Sequence, residues 1–191
     1  MKGRGPVNLR VPEGDDRERL VCDECGFVNY VNPKVVVGVV ATAGERILMC
    51  RRAIEPRRGF WTIPAGYLEE NESPEVGAAR EAWEEARARL TIDALLAVYS
   101  VPRISQVQLM YRARLTDDHV SPGAESLEVA LYTWEQIPWT ELAFPTVAWA
   151  LEHHRSVRGT TSFCAFTNPS GESPNLATFA SQIAAEDDSA E

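Results

Sequence analysis

The chain of 191 residues has no apolar run near the roughly 18–20 residues that cross a bilayer, which excludes a membrane-spanning helix. Its N-terminus, MKGRGPVNLRVPEGDD, has basic residues but no apolar stretch behind them, so a secretory signal is not expected. Cysteine is scarce. Two of the four stand as Cys22-x-x-Cys25 and two are isolated at Cys50 and Cys164, which is no disulfide framework. A cytoplasmic, reducing setting is the expectation. Positive charge is in deficit, with 19 Lys and Arg against 28 Asp and Glu. The net charge of −9 disfavours non-specific binding to a nucleic-acid backbone. Neither nucleic acid nor membrane is expected as a partner, and no internal repeat is present. The 45% hydrophobic and 25% charged content is that of a globular protein, and the length suits one domain with appendages.

Residues 1–33 are polar and turn-rich, a small extension ahead of the main domain. Val35–Val40 is an apolar, β-branched run and reads as a buried strand. A turn at Ala43-Gly44-Glu45 leads to a second strand from Arg46 to Arg51, so the two are expected to form a hairpin. Leu95–Val101, Val107–Leu115 and Leu127–Trp134 read as further strands. In the second of these, Val107, Leu109, Tyr111, Ala113 and Leu115 share one face. A last helix is expected from about Thr146 to His154. From 160 to 191 the chain turns polar and then acidic, which predicts a flexible tail. The main domain is therefore 34–159. Strands, helix, strands and helix in that order predict an α/β sandwich with a mixed central sheet.

The segment GYLEENESPEVGAAREAWEEARA, from Gly66 to Ala88, holds seven glutamates in 23 residues. Ser73-Pro74 is a helix start, with a capping serine and a proline at the first helical position. On a wheel of about 100° per residue, Val76, Ala79, Trp83, Ala86 and Leu90 form one stripe, which predicts the core face. Glu81, Glu84 and Glu85 then fall on the opposite face. Like charges so spaced repel by roughly 0.2–0.5 kcal/mol per pair. They also lie past the first turn, where the helix dipole no longer helps them. A solvated acidic face is the simple explanation. A cradle for a hard divalent cation is the functional one, because such cations take several carboxylate oxygens and backbone carbonyls.

Gly66, Glu72 and Arg80-Glu81-Ala82-Trp83-Glu84-Glu85 resemble the signature box of Nudix hydrolases, G-x5-E-x7-R-E-U-x-E-E-x-G-U, where U is bulky and aliphatic. Every glycine and charged position up to Glu85 matches. Ala82 and Ala88 replace the bulky residues, and Arg87 replaces the last glycine. Arg87 is expected to stay helical where glycine would end the helix. The resemblance covers about residues 34–157 and implies an α/β/α sandwich. It also implies Mg2+ or Mn2+ and hydrolysis of a nucleoside diphosphate linked to another moiety, such as ADP-ribose or FAD.

The same resemblance assigns Glu81, Glu84 and Glu85 as metal ligands, with the carbonyl of Ala65 or Gly66 beside them. Arg80 and Glu72 orient the glutamates. The loop Pro122–Glu128 supplies Glu125 as base or water-positioner and Glu128 as a late metal ligand. Arg51, Arg52, Arg57 and Arg58 are candidates to clamp a diphosphate. Trp61, Phe60, Tyr99, Arg103 and Gln106 are candidates for the base or ribose pocket. The motif S-Q-P-W-P-F-P of NADH-specific relatives is absent, Ser105-Gln106-Val107 standing there instead. Cys22-x-x-Cys25-Gly26 looks like half of the zinc ribbon that some Nudix proteins carry. Tetrahedral zinc needs four ligands, and MKGRG upstream has no Cys or His, so bound zinc is not expected. The Trp134–Trp139 segment and the extension are candidate surfaces for a homodimer. Nucleoside triphosphate cleavage and a non-catalytic nucleotide-sensing module are the competing functions.

Overall fold

A computed structural model describes residues 5–174. The chain divides into two compact units, one up to Pro33 and one from Lys34 onward.

The first unit is a meander of three short antiparallel strands: β1 (Asn8–Arg10), β2 (Arg19–Val21) and β3 (Val28–Asn29). A knuckle joins the last two. The Cys22 N–H donates to the Phe27 carbonyl at 2.8 Å, and the Gly26 N–H to the Cys22 carbonyl at 2.9 Å. Gly26, at φ 75°, makes that turn in the left-handed region where a side chain is disfavoured.

The second unit contains β4 (Lys34–Ala43), β5 (Arg46–Arg52), β6 (Trp61–Thr62), β7 (Ala65–Tyr67), α1 (Pro74–Ala86), β8 (Leu90–Val101), β9 (Gln106–Leu115), β10 (Ser126–Tyr132) and α2 (Pro145–Ser156). The main sheet runs β10-β5-β4-β9-β8, with β6 paired to β5 and β7 to β4. β4 and β9 are parallel; the other pairs are antiparallel. The mixed sheet is therefore as expected, and so is the β4–β5 hairpin, which pairs Thr42 with Ile47 and Ala43 with Arg46. β4 is apolar on both faces because both are covered. Val37, Val39 and Ala41 pack with Leu48, Tyr111, Ala113 and the alanines of α1. Val40 packs on the other side with Met49, Leu96, Tyr99, Met110, Trp149 and Leu151 of the α2 layer.

α1 begins as the sequence predicts, with the Ser73 hydroxyl accepting the Val76 N–H and Pro74 at the first position. Its buried face is not the predicted one. Gly77, Ala78, Glu81, Ala82, Glu85 and Ala86 are buried, whereas Val76 is 59% and Trp83 42% exposed. The helix lies close to the sheet on small side chains, and a Cβ on Gly77 would come within 2.7 Å of Glu72 Oε1. Trp83 is left outside, beside the guanidinium groups of Arg87 and Arg89.

The helix end also departs from expectation. Arg87 does not continue the helix; it takes φ 51°, the left-handed conformation that glycine adopts most easily. Its N–H donates to the Trp83 carbonyl and the Ala88 N–H to the Ala82 carbonyl, a Schellman closure. Arg87→Gly is expected to stabilise the protein by about 0.5–1 kcal/mol, offset in part by the lost contact with Trp83. Urea unfolding checks this; a variant destabilised by as much would show that stacking on Trp83 outweighs backbone strain.

The expected tail is held to the sheet over its described part. Phe166 donates to the Leu96 carbonyl and accepts from the Val98 N–H, and the Asn168 amide pairs with both backbone groups of Ser100. The rest of that tail, 175–191, lies outside the described residues.

Candidate active site

The β7 turn and α1 place the box. β7 pairs with β4 so that Gly66 lies against Val37. A Cβ there would sit 2.3 Å from the carboxylate carbon of Glu81, so only glycine lets this carboxylate fold over the strand. Arg80 is the hub. Its Nε and Nη2 donate to the two Glu72 oxygens at 3.1 and 2.8 Å, and Nη2 also to the Tyr67 carbonyl at 3.0 Å. Nη1 meets Glu81 at 2.7 Å and Glu84 at 3.2 Å. This arginine and the Glu69 N–H hold the Glu72 carboxyl down at about 2. Arg80, itself held by Glu72, thus ties Glu81 and Glu84 together.

Glu85 is the unusual group. It is 6% exposed, its Oε2 is 3.4 Å from the Ala65 N–H, and burial pushes its pKa up to about 8, with the charge of Glu81 adding to the rise. Burial also raises Glu81. Two carboxylates on a closed face are unfavourable unless a cation joins them.

Glu125 arrives by a second close approach. Gly123 packs on the end of α1, its N–H donating to the Glu85 carbonyl at 2.9 Å; a Cβ there would meet the Glu84 carbonyl oxygen at 1.7 Å. The Ala53 N–H holds the Glu125 carbonyl at 2.8 Å. The Glu125 side chain is exposed on the rim, and its charge acts on both Glu81 and Glu85.

The arginines part company by strand alternation. Arg52 is two residues from Cys50 on the α1 side of β5, and its charge acts on Glu85. Arg51 faces the other way. It is paired with Trp61 in the sheet, and it reaches Glu128 at 3.6 Å. Glu128 therefore lies on the face away from the box, which corrects its assignment as a ligand. Arg57 is occupied in fastening its own loop, donating to the Ala143 and Leu142 carbonyls and lying over the Phe60 ring. Arg58 and Arg103 are exposed, and Gln106 donates to the Tyr67 hydroxyl.

Tyr99 and Trp61 are not pocket residues. Tyr99 is fully buried, with its hydroxyl on His153 Nδ1 at 2.7 Å, and Trp61 packs edge-on against Tyr132. Trp134 and Trp139 pack on each other and on the α2 core. Missed by sequence reasoning were Gly123 and the separation of Arg52 from Arg51. The period-2 pattern of β5 carried the second of these.

Among the described residues, no three Asp, Glu, His or Cys groups already converge as a cation cage; Arg80 neutralises Glu81 and Glu84 instead. The donor set nevertheless fits a hard divalent cation. Glu85 is a buried carboxylate with no ion pair among the described residues, and the Gly66 cradle presents Glu81 beside it.

A pH dependence follows for the metal-free protein. Glu85 is raised from the ordinary 4.5 to about 8, so between those values the native chain holds more protons than the unfolded one. Stability is therefore expected to fall as pH rises through that window, by an amount on the order of a few kcal/mol. Thermal unfolding in chelator checks it, and a Tm that rises toward pH 8 would contradict the burial argument. Added divalent cation should raise Tm most at the alkaline end.

Cys22 and Cys25 are both free thiols, and Asp23 is taken up by Asn8 and Arg10. Two sulfurs do not complete a tetrahedral site.

This fold and this box define a phosphoanhydride hydrolase that works with a divalent metal. The NUDIX domain model matches residues 32–150, and a model described as Nudix N-terminal, a zinc-ribbon segment, matches residues 4–31. The chain belongs to the Nudix hydrolase family. A NUDIX hydrolase from Nitrosomonas europaea, known as a crystal structure, is 45% identical with a TM-score of 0.81, covering 87% of this chain and 96% of that one. A MutT-like protein of Streptomyces ambofaciens is 36% identical over 102 residues, which is 53% of this chain and 64% of that protein. An ADP-ribose pyrophosphatase of Methanocaldococcus jannaschii is 26% identical over 119 residues, 60% of this chain and 69% of that protein. The chain thus spans about two thirds of the length of these two relatives.

Proposed function

We propose that the chain hydrolyses the diphosphate bond of a nucleoside diphosphate linked to another moiety, with ADP-ribose, FAD or a similar dinucleotide as substrate and Mg2+ as the ion, in the cytoplasm. The observation that carries this reading is the docking of the Glu125 loop on the end of α1 through Gly123, which places Glu125 where its charge acts on Glu81 and Glu85, with the charge of Arg52 also acting on Glu85.

Glu81, Glu84 and Glu85, with Ala65 at the turn, would hold the cation, which when bound neutralises charge on the diphosphate and polarises it for attack. Arg80 and Glu72 keep the glutamates in place. Arg52, and Arg58 if its loop closes, bind the diphosphate oxygens from the other side. Glu125 orients a water and takes its proton. The relative from M. jannaschii supports the ADP-ribose reading. The MutT-like relative supports nucleoside triphosphate cleavage as the second reading.

A panel of ADP-ribose, FAD and nucleoside triphosphates with magnesium tests this. Phosphatase-coupled release should be fastest with a dinucleotide or nucleotide sugar. Release from triphosphates alone would favour the second reading. No turnover of any compound would leave only a nucleotide-sensing role.

A further inference from the structure

We infer that a second cavity, at the hairpin end of the main sheet, binds a phosphate group, free or carried by a small molecule. The cavity lies between the β4–β5 turn, the end of β9 and the last turn of α2. It holds about 700 Å³, within the range of small-molecule sites. It is separate from the box. Ala65 and Gly66 meet β4 at Gly38 and Val37, whereas the cavity reaches β4 at Thr42 and Ala43, roughly 15 Å further along the strand. It also lies on the other face of the sheet. Tyr111 and Ala113 of β9 pack with the alanines of α1, so Arg112 and Arg114 face the α2 side.

Buried donors line it. Arg112 and His154 are only 9% and 7% exposed. Arg112 Nε donates to Asp93 at 2.9 Å, and Nη1 to the Val157 and Thr160 carbonyls at 3.2 and 3.0 Å. Those bonds fasten the guanidinium to the end of α2. They leave Nη2 with no acceptor among the described residues. Neither ring nitrogen of His154 has a hydrogen bond among them either. Burial, and after it the charge of Arg112, push this imidazole below its ordinary pKa, against the pull of Asp93. Arg114 stands exposed at the mouth and has no ion pair among the described residues.

The negative groups nearby are largely committed. The carbonyls at the end of α2, which would repel an anion, are capped by Arg112 and, at Val157, by the Thr160 hydroxyl. Asp93 is paired with Arg112, Glu45 with Arg158 and Asp118 with Arg46. Asp117 and Glu135 are exposed at the rim. A guanidinium edge, an imidazole N–H and a second guanidinium together need more acceptor oxygens than a carboxylate offers, and a phosphate supplies them. The volume exceeds that of the bare anion, so an organic group fits against Trp134 and Ile47.

The test follows the chain's three histidines by NMR, their ring signals assigned by substitution. Inorganic phosphate and ribose 5-phosphate are titrated at constant ionic strength. The expected result is a saturable shift of the His154 signals and a rise in its pKa, because a bound anion offsets Arg112. Tighter binding of ribose 5-phosphate would assign the remaining volume to the organic group; equal affinity would make free phosphate the ligand. Arg112 is part of the fold, so the variant to use is Arg114→Gln, which should weaken binding about tenfold with Tm unchanged. His154 signals that neither probe moves would overturn the proposal, as would unchanged affinity in Arg114→Gln. So would a drift shared with the exposed His119 and reproduced by sodium chloride, which is screening and not a site.

Discussion

Glu85→Gln is expected to lower turnover by at least about a hundredfold and, at the same time, to raise the Tm of the metal-free protein. The two effects have one origin. Glu85 is buried, with its carboxyl pushed up to about 8, so at neutral pH the native state must take up a proton that the unfolded chain does not hold, and above pH 8 it bears an anion that burial and Glu81 both disfavour. Glutamine has the same shape and a helix propensity close to that of glutamate, and removes that charge. On the proposed reading it also removes a charged ligand oxygen, and a hundredfold loss corresponds to about 2.7 kcal/mol of transition-state stabilisation. The diagnostic is the pair of measurements, kcat with magnesium in excess and Tm in chelator. Near-normal turnover at limiting magnesium would remove Glu85 from the ligand set. An unchanged Tm would mean that the site is better solvated than its 6% exposure implies.

The helix that carries this residue also marks where the sequence was readable and where it was not. Its start was legible, because Ser73 and Pro74 are local signals with local causes. The box was legible as spacing, since Gly66, Glu72 and Arg80 must stand at fixed distances along the chain to brace the same carboxylates. The buried face was not. Ranking side chains by apolar size put Val76 and Trp83 inward, but the helix lies so near the sheet that only glycine and alanine fit beneath it. The two largest α1 residues of the predicted stripe therefore stand in solvent while its Ala86 is buried, and Glu81 and Glu85 share the closed face with Ala78 and Ala82. Ala82 and Ala88, where the family has bulky residues, are fully packed here.

The strands show the same division. Alternation in β9 was readable, and Leu109, Tyr111, Ala113 and Leu115 do line one side. The arginine run could not be resolved without knowing which side of β5 faces α1. Once Cys50 is known to lie under Glu85, Arg52 follows and Arg51 is excluded. Glu128 is lost with Arg51, because directly paired residues of antiparallel strands share a face. Tyr99 and Trp61 show why an aromatic in a sequence is a weak pointer to a nucleotide pocket: both serve the core.

Glu125→Gln is expected to lower kcat by roughly ten- to ten-thousandfold and to change KM little. Glu81 and Glu84 are already committed to Arg80, and on the proposed reading all three box carboxylates also serve the cation, which leaves them poor proton acceptors. Glu125 is exposed, on a loop anchored by the Gly123 N–H at one side and the Ala53 N–H at the other, so it can reach a water without being held by the brace. A group that acts on the water and not on the nucleotide contributes mainly in the transition state, hence kcat and not KM. Glutamine keeps the loop's length and polarity but accepts no proton, and it also removes a negative charge that acts on the Glu81 and Glu85 site, so cation affinity should fall slightly. Steady-state kinetics at several magnesium concentrations separate the cases. Loss of turnover that excess magnesium restores would make Glu125 a ligand instead of a base. Normal turnover in Glu125→Gln beside a loss in Glu84→Gln would place the base within the box, on the one of its three α1 glutamates that faces solvent.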